Sequence, residues 1–184
     1  MKKLKRIALG LVVLNGVMFS SCEELMDFGV NVDTDYTYVD FVVEPTDNIG
    51  ENVFSTSVIK SSLESMLEDS EVSKDDVSSV SIKEAIIEMK NDDPAITFDY
   101  FSRVEATIQV DGLPEIVVAF VDSIPTGSRN IKCDVTNEEL LGYLEGNEYM
   151  LRARGVSVMP VTDTLYIEGK LKFSVTTDIA ETLQ

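Results

Sequence analysis

The longest regular pattern in the chain is an alternation. Leu165, Ile167, Gly169, Leu171, Phe173 and Val175 take every second position, with Tyr166, Glu168, Lys170, Lys172 and Ser174 between them. Successive side chains of a strand point to opposite faces, so this stretch predicts a long strand with one buried and one wet face. Val104, Ala106, Ile108 and Val110 alternate with Glu105, Thr107 and Gln109 in the same way, and Asp111-Gly112-Leu113-Pro114 ends the run in a turn. Ile116 to Val121 is apolar at every position, so the second face of that strand also needs cover. Further strands are predicted at Thr37 to Val43, Val80 to Met89, Ile131 to Val135 and Tyr149 to Val158.

Two of these strands change phase. Val80 and Ile82 share one parity and Ala85, Ile87 and Met89 the other, so an extra residue near Lys83 and Glu84 would keep all five inward. Tyr149, Leu151 and Ala153 are offset in the same manner from Val156 and Val158, with Gly155 at the break. Both patterns predict β-bulges, which bend a strand around a sandwich or barrel.

Helical spacing is scarce. Val58, Ile59, Leu63, Met66 and Leu67 form an apolar stripe of about three turns. Thr136-Asn137-Glu138-Glu139 has the spacing of a capping box, with Val135 and Leu140 at the staple positions and Gly146 as a stop, predicting a helix over 137–145. The sum is a mainly β chain: an antiparallel β-sandwich, broadly Ig-like, with two short helices. The Cys, Trp and Cys hallmarks of immunoglobulin domains are absent.

The first residues follow a different logic. Lys2, Lys3, Lys5 and Arg6 precede an apolar run from Ile7 to Phe19, shorter than the roughly 20 residues that span a bilayer. The length and basic flank are those of a secretory signal. The run closes in Phe19-Ser20-Ser21-Cys22, which resembles the bacterial lipobox. That resemblance implies diacylglyceryl, and acyl chains such as palmitate, on Cys22 after cleavage ahead of it. Glu23 and Glu24 follow directly, and such an acidic start resembles the surface-export signal of Bacteroidota lipoproteins. Asp122-Ser123-Ile124 and Asp163-Thr164-Leu165 resemble that phylum's O-glycosylation motif. The expected organisation is a signal over 1–21, a lipid anchor and acidic tether over 22–35, a β-sandwich domain over 36–178 and a tail over 179–184. The layout resembles single-domain Bacteroidota outer-membrane lipoproteins of unassigned function.

Charge and composition narrow the chemistry. The 184 residues carry 33 Asp and Glu against 15 Lys and Arg, and four of those cations lie in residues 1–21. A domain this acidic is repelled by phosphate backbones, so nucleic acid is not an expected partner. The absence of histidine removes Ser-His-Asp and Cys-His catalysis and every imidazole metal site. Of the two cysteines, Cys133 sits in the alternating Ile131-Lys132-Cys133-Asp134-Val135, inward with Ile131 and Val135, as a small core residue. Ser57-Val58-Ile59-Lys60 matches the Ser-x-x-Lys opening of penicillin-binding enzymes, but neither partner motif follows.

No enzyme and no required cofactor are expected. Calcium is the weak exception: Asn31-Val32-Asp33-Thr34-Asp35 offers alternating oxygens, with Asp33 and Asp35 as candidate ligands and Asp92 and Asp93 as looser additions. Tyr36 and Val42 stand where an EF-hand needs glycine and glutamate. Glycan binding is the natural alternative for a surface lipoprotein, with Tyr36, Tyr38, Tyr100 and Phe101 as candidate platform residues. The expected role is that of a non-catalytic binding or structural domain at the outer membrane. Its partners would be the membrane, through lipid on Cys22, and an envelope protein or glycan. The other readings are a glycan- or calcium-binding surface module and a subunit of a surface fibre.

Overall fold

The computed structural model describes residues 29–60, 63–68 and 72–178. Within them the chain runs β1 (Gly29–Asp33), β2 (Thr37–Val43), β3 (Gly50–Ile59), α1 (Leu63–Met66), β4 (Val77–Met89), β5 (Phe101–Gln109), β6 (Ile116–Val121), β7 (Asn130–Val135), α2 (Leu141–Leu144), β8 (Tyr149–Ser157) and β9 (Leu165–Asp178). All pairings are antiparallel, in the order β1-β9-β4-β7-β6-β5-β8-β3, with β2 also on β9. β1 and β2 share one edge of β9, because β1 pairs with residues 174–178 and β2 with 165–171, while β4 takes the opposite edge.

The path folds over at its weakest joint. β6 and β7 pair only through Ala119↔Val135 and Phe120↔Asp134, so the sheet bends there into two halves. β1, β2, β9, β4 and β7 face β6, β5, β8 and β3 across a common core. At the opposite margin Ser57 Oγ of β3 donates to the Asp40 carbonyl of β2 at 3.2 Å, and Thr46 bridges to Val161. The result is an antiparallel β-sandwich with two short helices. Val80, Leu165, Phe173 and Val175 from one half meet Ile108, Val118 and Leu151 from the other, all essentially solvent-free. Each such side chain contributes about 1.5–3 kcal/mol of burial.

The alternation of residues 165–175 becomes β9, whose inward phase holds from Leu165 through Thr177. The bulge expected near Lys83 is present: the β4 register against β9 skips between Ile82 and Glu84. Cys133 lies inward on β7, 8% exposed. The outward side of β6 is covered by a side chain, with the Arg103 guanidinium 5.7 Å over the Phe120 ring.

Four local expectations fail. β8 keeps one phase throughout, with Gly155 and Ser157 inward, and the extra residues sit in its neighbours, at Phe54 of β3 and Ser102 of β5. A Cβ on Gly155 would lie 2.6 Å from the Arg103 carbonyl and 2.8 Å from Phe54 Cε2, so the glycine admits both bulged partners and Val158 is left exposed. Val58 and Ile59 close β3 instead of opening a helix, and α1 is a single turn.

The capping box does not form either. Thr136 is held to β6, its Oγ1 donating to the Val117 carbonyl at 2.9 Å and its N–H to the Val118 carbonyl, and Glu139 and Leu140 reach β4, where Leu140 N–H donates to the Val80 carbonyl. α2 therefore starts only at Leu141. Finally, part of the expected tether is a strand: Gly29–Asp33 forms β1, because Val30 to Val32 can complete the free edge of β9.

Candidate functional site

Cys22, the lipobox-like residues before it, and Glu23 and Glu24 lie outside the described residues. The calcium candidates are within them. Asp33 Oδ2 is ion-paired with Lys83 Nζ, Asn31 Oδ1 accepts from Thr176 Oγ1 at 2.8 Å, and Asp93 Oδ1 accepts the Ala95 N–H at 2.8 Å. Among the described residues no three acidic or thiol side chains converge on one point where a cation could be held. Asn31 and Asp33 are therefore outward positions of an edge strand, each with its own partner, and Asp35 follows in the connection to β2.

The aromatic candidates divide into two places. Phe101 is 3% exposed and packs in the core against Phe54, the rings tilted by 56° with centroids 4.8 Å apart, while Tyr100 is tied by its hydroxyl to Asp163 at 3.2 Å. Tyr36 and Tyr38 stand on the outer face of β2, β9 and β4, with ring centroids 6.4 Å apart. Tyr38 is 61% exposed, and the register sets it opposite Lys170 of β9.

Tyr166, four positions along β9 from Lys170, is 52% exposed and lies opposite the exposed Val42. At about 3.3 Å per residue the two exposed tyrosines are roughly 13 Å apart along the strand. Tyr166 was not among the sequence candidates. Its signal was an aromatic residue in the wet phase of an alternating strand.

Between and beside the tyrosines runs a lattice of alternating charge. The Tyr36 hydroxyl donates to Glu84 Oε2, Lys132 Nζ contacts Glu84 Oε1 at 2.7 Å, and Lys172 Nζ lies 5.6 Å over the Tyr36 ring. Lys170 Nζ contacts Glu88 at 2.8 Å and Glu168 at 3.4 Å, and Lys90 bridges the same two glutamates at 3.5 Å. The hydrogen bonds from Lys132 and then Tyr36 hold the Glu84 carboxyl below its ordinary range. Lys170 does the same to Glu88. The Tyr36 hydroxyl is pushed up, first by its bond to Glu84 and then by burial. Both shifted glutamates are thus poised as charged acceptors, the state suited to holding hydroxyl donors and unsuited to giving up a proton.

Other candidate places are less open. The core holds an apolar cavity of about 60 Å³, lined by residues including Phe41, Phe54, Phe101, Ala119, Cys133 and Leu151. That is well below the roughly 150 Å³ of a cavity that takes benzene. Ser57 of the Ser-x-x-Lys match is in β3, with its hydroxyl committed to Asp40. Of the two hydroxyls in the glycosylation-like tripeptides, Ser123 is exposed, while Thr164 is half-buried and bonded to Glu44 at 3.4 Å. Among the described residues no helix is long and apolar enough to cross a membrane.

No protein-family model matches the chain, and no curated protein matches it in sequence. Among solved structures the chain is similar to that of tomato aspermy virus, at 14% identity over 81% of each chain and a TM-score of 0.26. It is also similar to that of Desmodium yellow mottle tymovirus, at 7% identity over 100% of this chain and 99% of that one, again with a TM-score of 0.26. At scores this low neither likeness bears on fold or function.

Proposed function

We propose that this chain is a lipid-anchored cell-envelope protein, held at the outer membrane through Cys22, whose sandwich is a non-catalytic binding domain for a glycan. The observation that carries the ligand class is the outer face of β2, β9 and β4, where Tyr38 and Tyr166 stand in water about 13 Å apart by strand rise with Lys170, Glu88 and Glu168 between them. Sugars present C–H faces to aromatic rings and hydroxyls to charged acceptors and donors, so one flat surface of this composition meets both halves of their chemistry. The anchor rests on the basic, apolar and small-residue succession that ends at Cys22.

Two experiments test the two parts. Fatty-acid labelling of the expressed chain should vanish in Cys22→Ala with release of the protein from membranes; retained labelling would overturn the anchor. A panel of cell-envelope polysaccharides should contain a ligand that raises the melting temperature of the domain, with the rise lost in the Tyr38→Ala, Tyr166→Ala double variant. A panel without any shift would overturn the glycan.

A further inference from the structure

The opposite outer face, formed by β5 and β8, holds a carboxylate in a receptor built from three side chains. Glu115 precedes β6 at the end of the β5–β6 connection and lays its carboxyl group across the face. Oε2 accepts from Arg152 and Arg154, each at 2.8 Å, and Oε1 accepts from the Thr107 hydroxyl. Thr107 is 2% exposed, so its hydroxyl is a buried donor aimed at the carboxylate. Arg152 and Arg154 face the same way because they are two positions apart on one strand, with Ala153 between them, and the register places them opposite Thr107 and Glu105 of β5.

The receptor has more capacity than Glu115 uses. One N–H of each guanidinium reaches the carboxylate, and Arg154 Nε is buried with no acceptor. A planar guanidinium is suited to forked recognition of a carboxylate, and here both forks are half-engaged. The setting also favours the residue type. The chain is strongly acidic, with a formal net charge of −18, yet places Arg152 and Arg154 together on this face, beside an Arg103 that is itself paired with Glu105 and Asp122.

We infer that Thr107, Arg152 and Arg154 form a binding site for a carboxylate-bearing ligand, in which Glu115 is the resident stand-in that such a ligand displaces. The exchange is one oxyanion for another of the same shape, so it breaks no covalent bond and moves no proton. This site is independent of the tyrosine face and stands or falls separately from it.

The experiment uses the folded chain with Glu115→Gln, which keeps the shape and removes the charge, and acetate as the probe. The melting temperature of E115Q should rise with acetate beyond the rise produced by chloride at equal ionic strength, and the excess should disappear when Arg152→Gln and Arg154→Gln are added. Glu115→Asp, which withdraws the carboxylate by one methylene, should show the same acetate excess if E115Q folds poorly. Equal responses to acetate and chloride in both variants would overturn the site.

Discussion

Glu139 serves strand β4 as a neighbouring strand would: its Oε1 accepts the Val80 N–H at 2.9 Å and the Leu141 N–H at 2.8 Å, while Leu140 N–H returns to the Val80 carbonyl. Oε2 takes the Ser79 hydroxyl at 2.6 Å. One carboxylate thereby closes a stretch of β4 beyond the reach of β7, which pairs only with residues 85–88.

The first prediction concerns acid. Burial pushes the Glu139 carboxyl up, but the bonds from Ser79, Val80 and Leu141 outweigh it and the net direction is down. A depressed folded value means the contribution is complete above the unfolded carboxylate's range, about 4.3, and is lost as pH falls through the lower folded value. Glu139→Gln should cost about 1 kcal/mol at neutral pH, since water reaches the exposed carboxylate site. Its urea-unfolding free energy should also fall less between pH 5 and pH 3 than that of the parent; parallel pH curves would count against the assignment.

Arg129 should be the most sensitive cation. Its guanidinium donates to the carbonyls of Met89, Asn91, Asp93 and Ile96, gathering the whole β4–β5 connection around one fork. Arg129→Ala should cost about 2–3 kcal/mol, and Arg129→Lys should recover less than half, because an ammonium cannot present a planar fork. Chemical denaturation of the three proteins measures both steps.

Gly155→Ala tests the packing at the crossing of three strands. Since the added methyl would meet the Arg103 carbonyl and the Phe54 ring well inside contact distance, the backbone of β5 must shift. A loss of about 3 kcal/mol is expected. Gly146→Ala, whose Cβ would meet nothing closer than 3.7 Å, is the matched control and should stay within about 1 kcal/mol.

Cys133 should be chemically silent. Burial, with a smaller push from Asp134, raises its thiol to about 12, so almost no thiolate exists at pH 8. In a Cys22→Ala chain, a disulfide-exchange reagent should label nothing in buffer and one thiol per chain in denaturant.

The strands that could be read from the sequence are those whose one buried face produces clean alternation, as in β9, β5 and β7. β3 escaped because the extra residue at Phe54 breaks its parity midway and Asn52, Ser55, Thr56 and Ser57 dilute it. β1 escaped because five residues with two valines carry too little pattern. The tyrosine face was half legible. Tyr36 and Tyr38 are neighbours in the chain, whereas Tyr166 joins them only through the β2–β9 register, a relation between distant segments that no local periodicity encodes. Phe101 misled because the bulge at Ser102 resets its phase and turns it into the core.

β9 is last in the order of synthesis among the described strands and central in the order of space, with β1 and β2 along one edge and β4 along the other. Asn31 pairs opposite Thr176, so the earliest described strand waits for nearly the latest residues before it has a partner. Loop closure over such separations makes folding slow and leaves little to form early. Until residues 165–178 have been made, this half of the sandwich has no middle, and β1, β2 and β4 have no common strand to pair with.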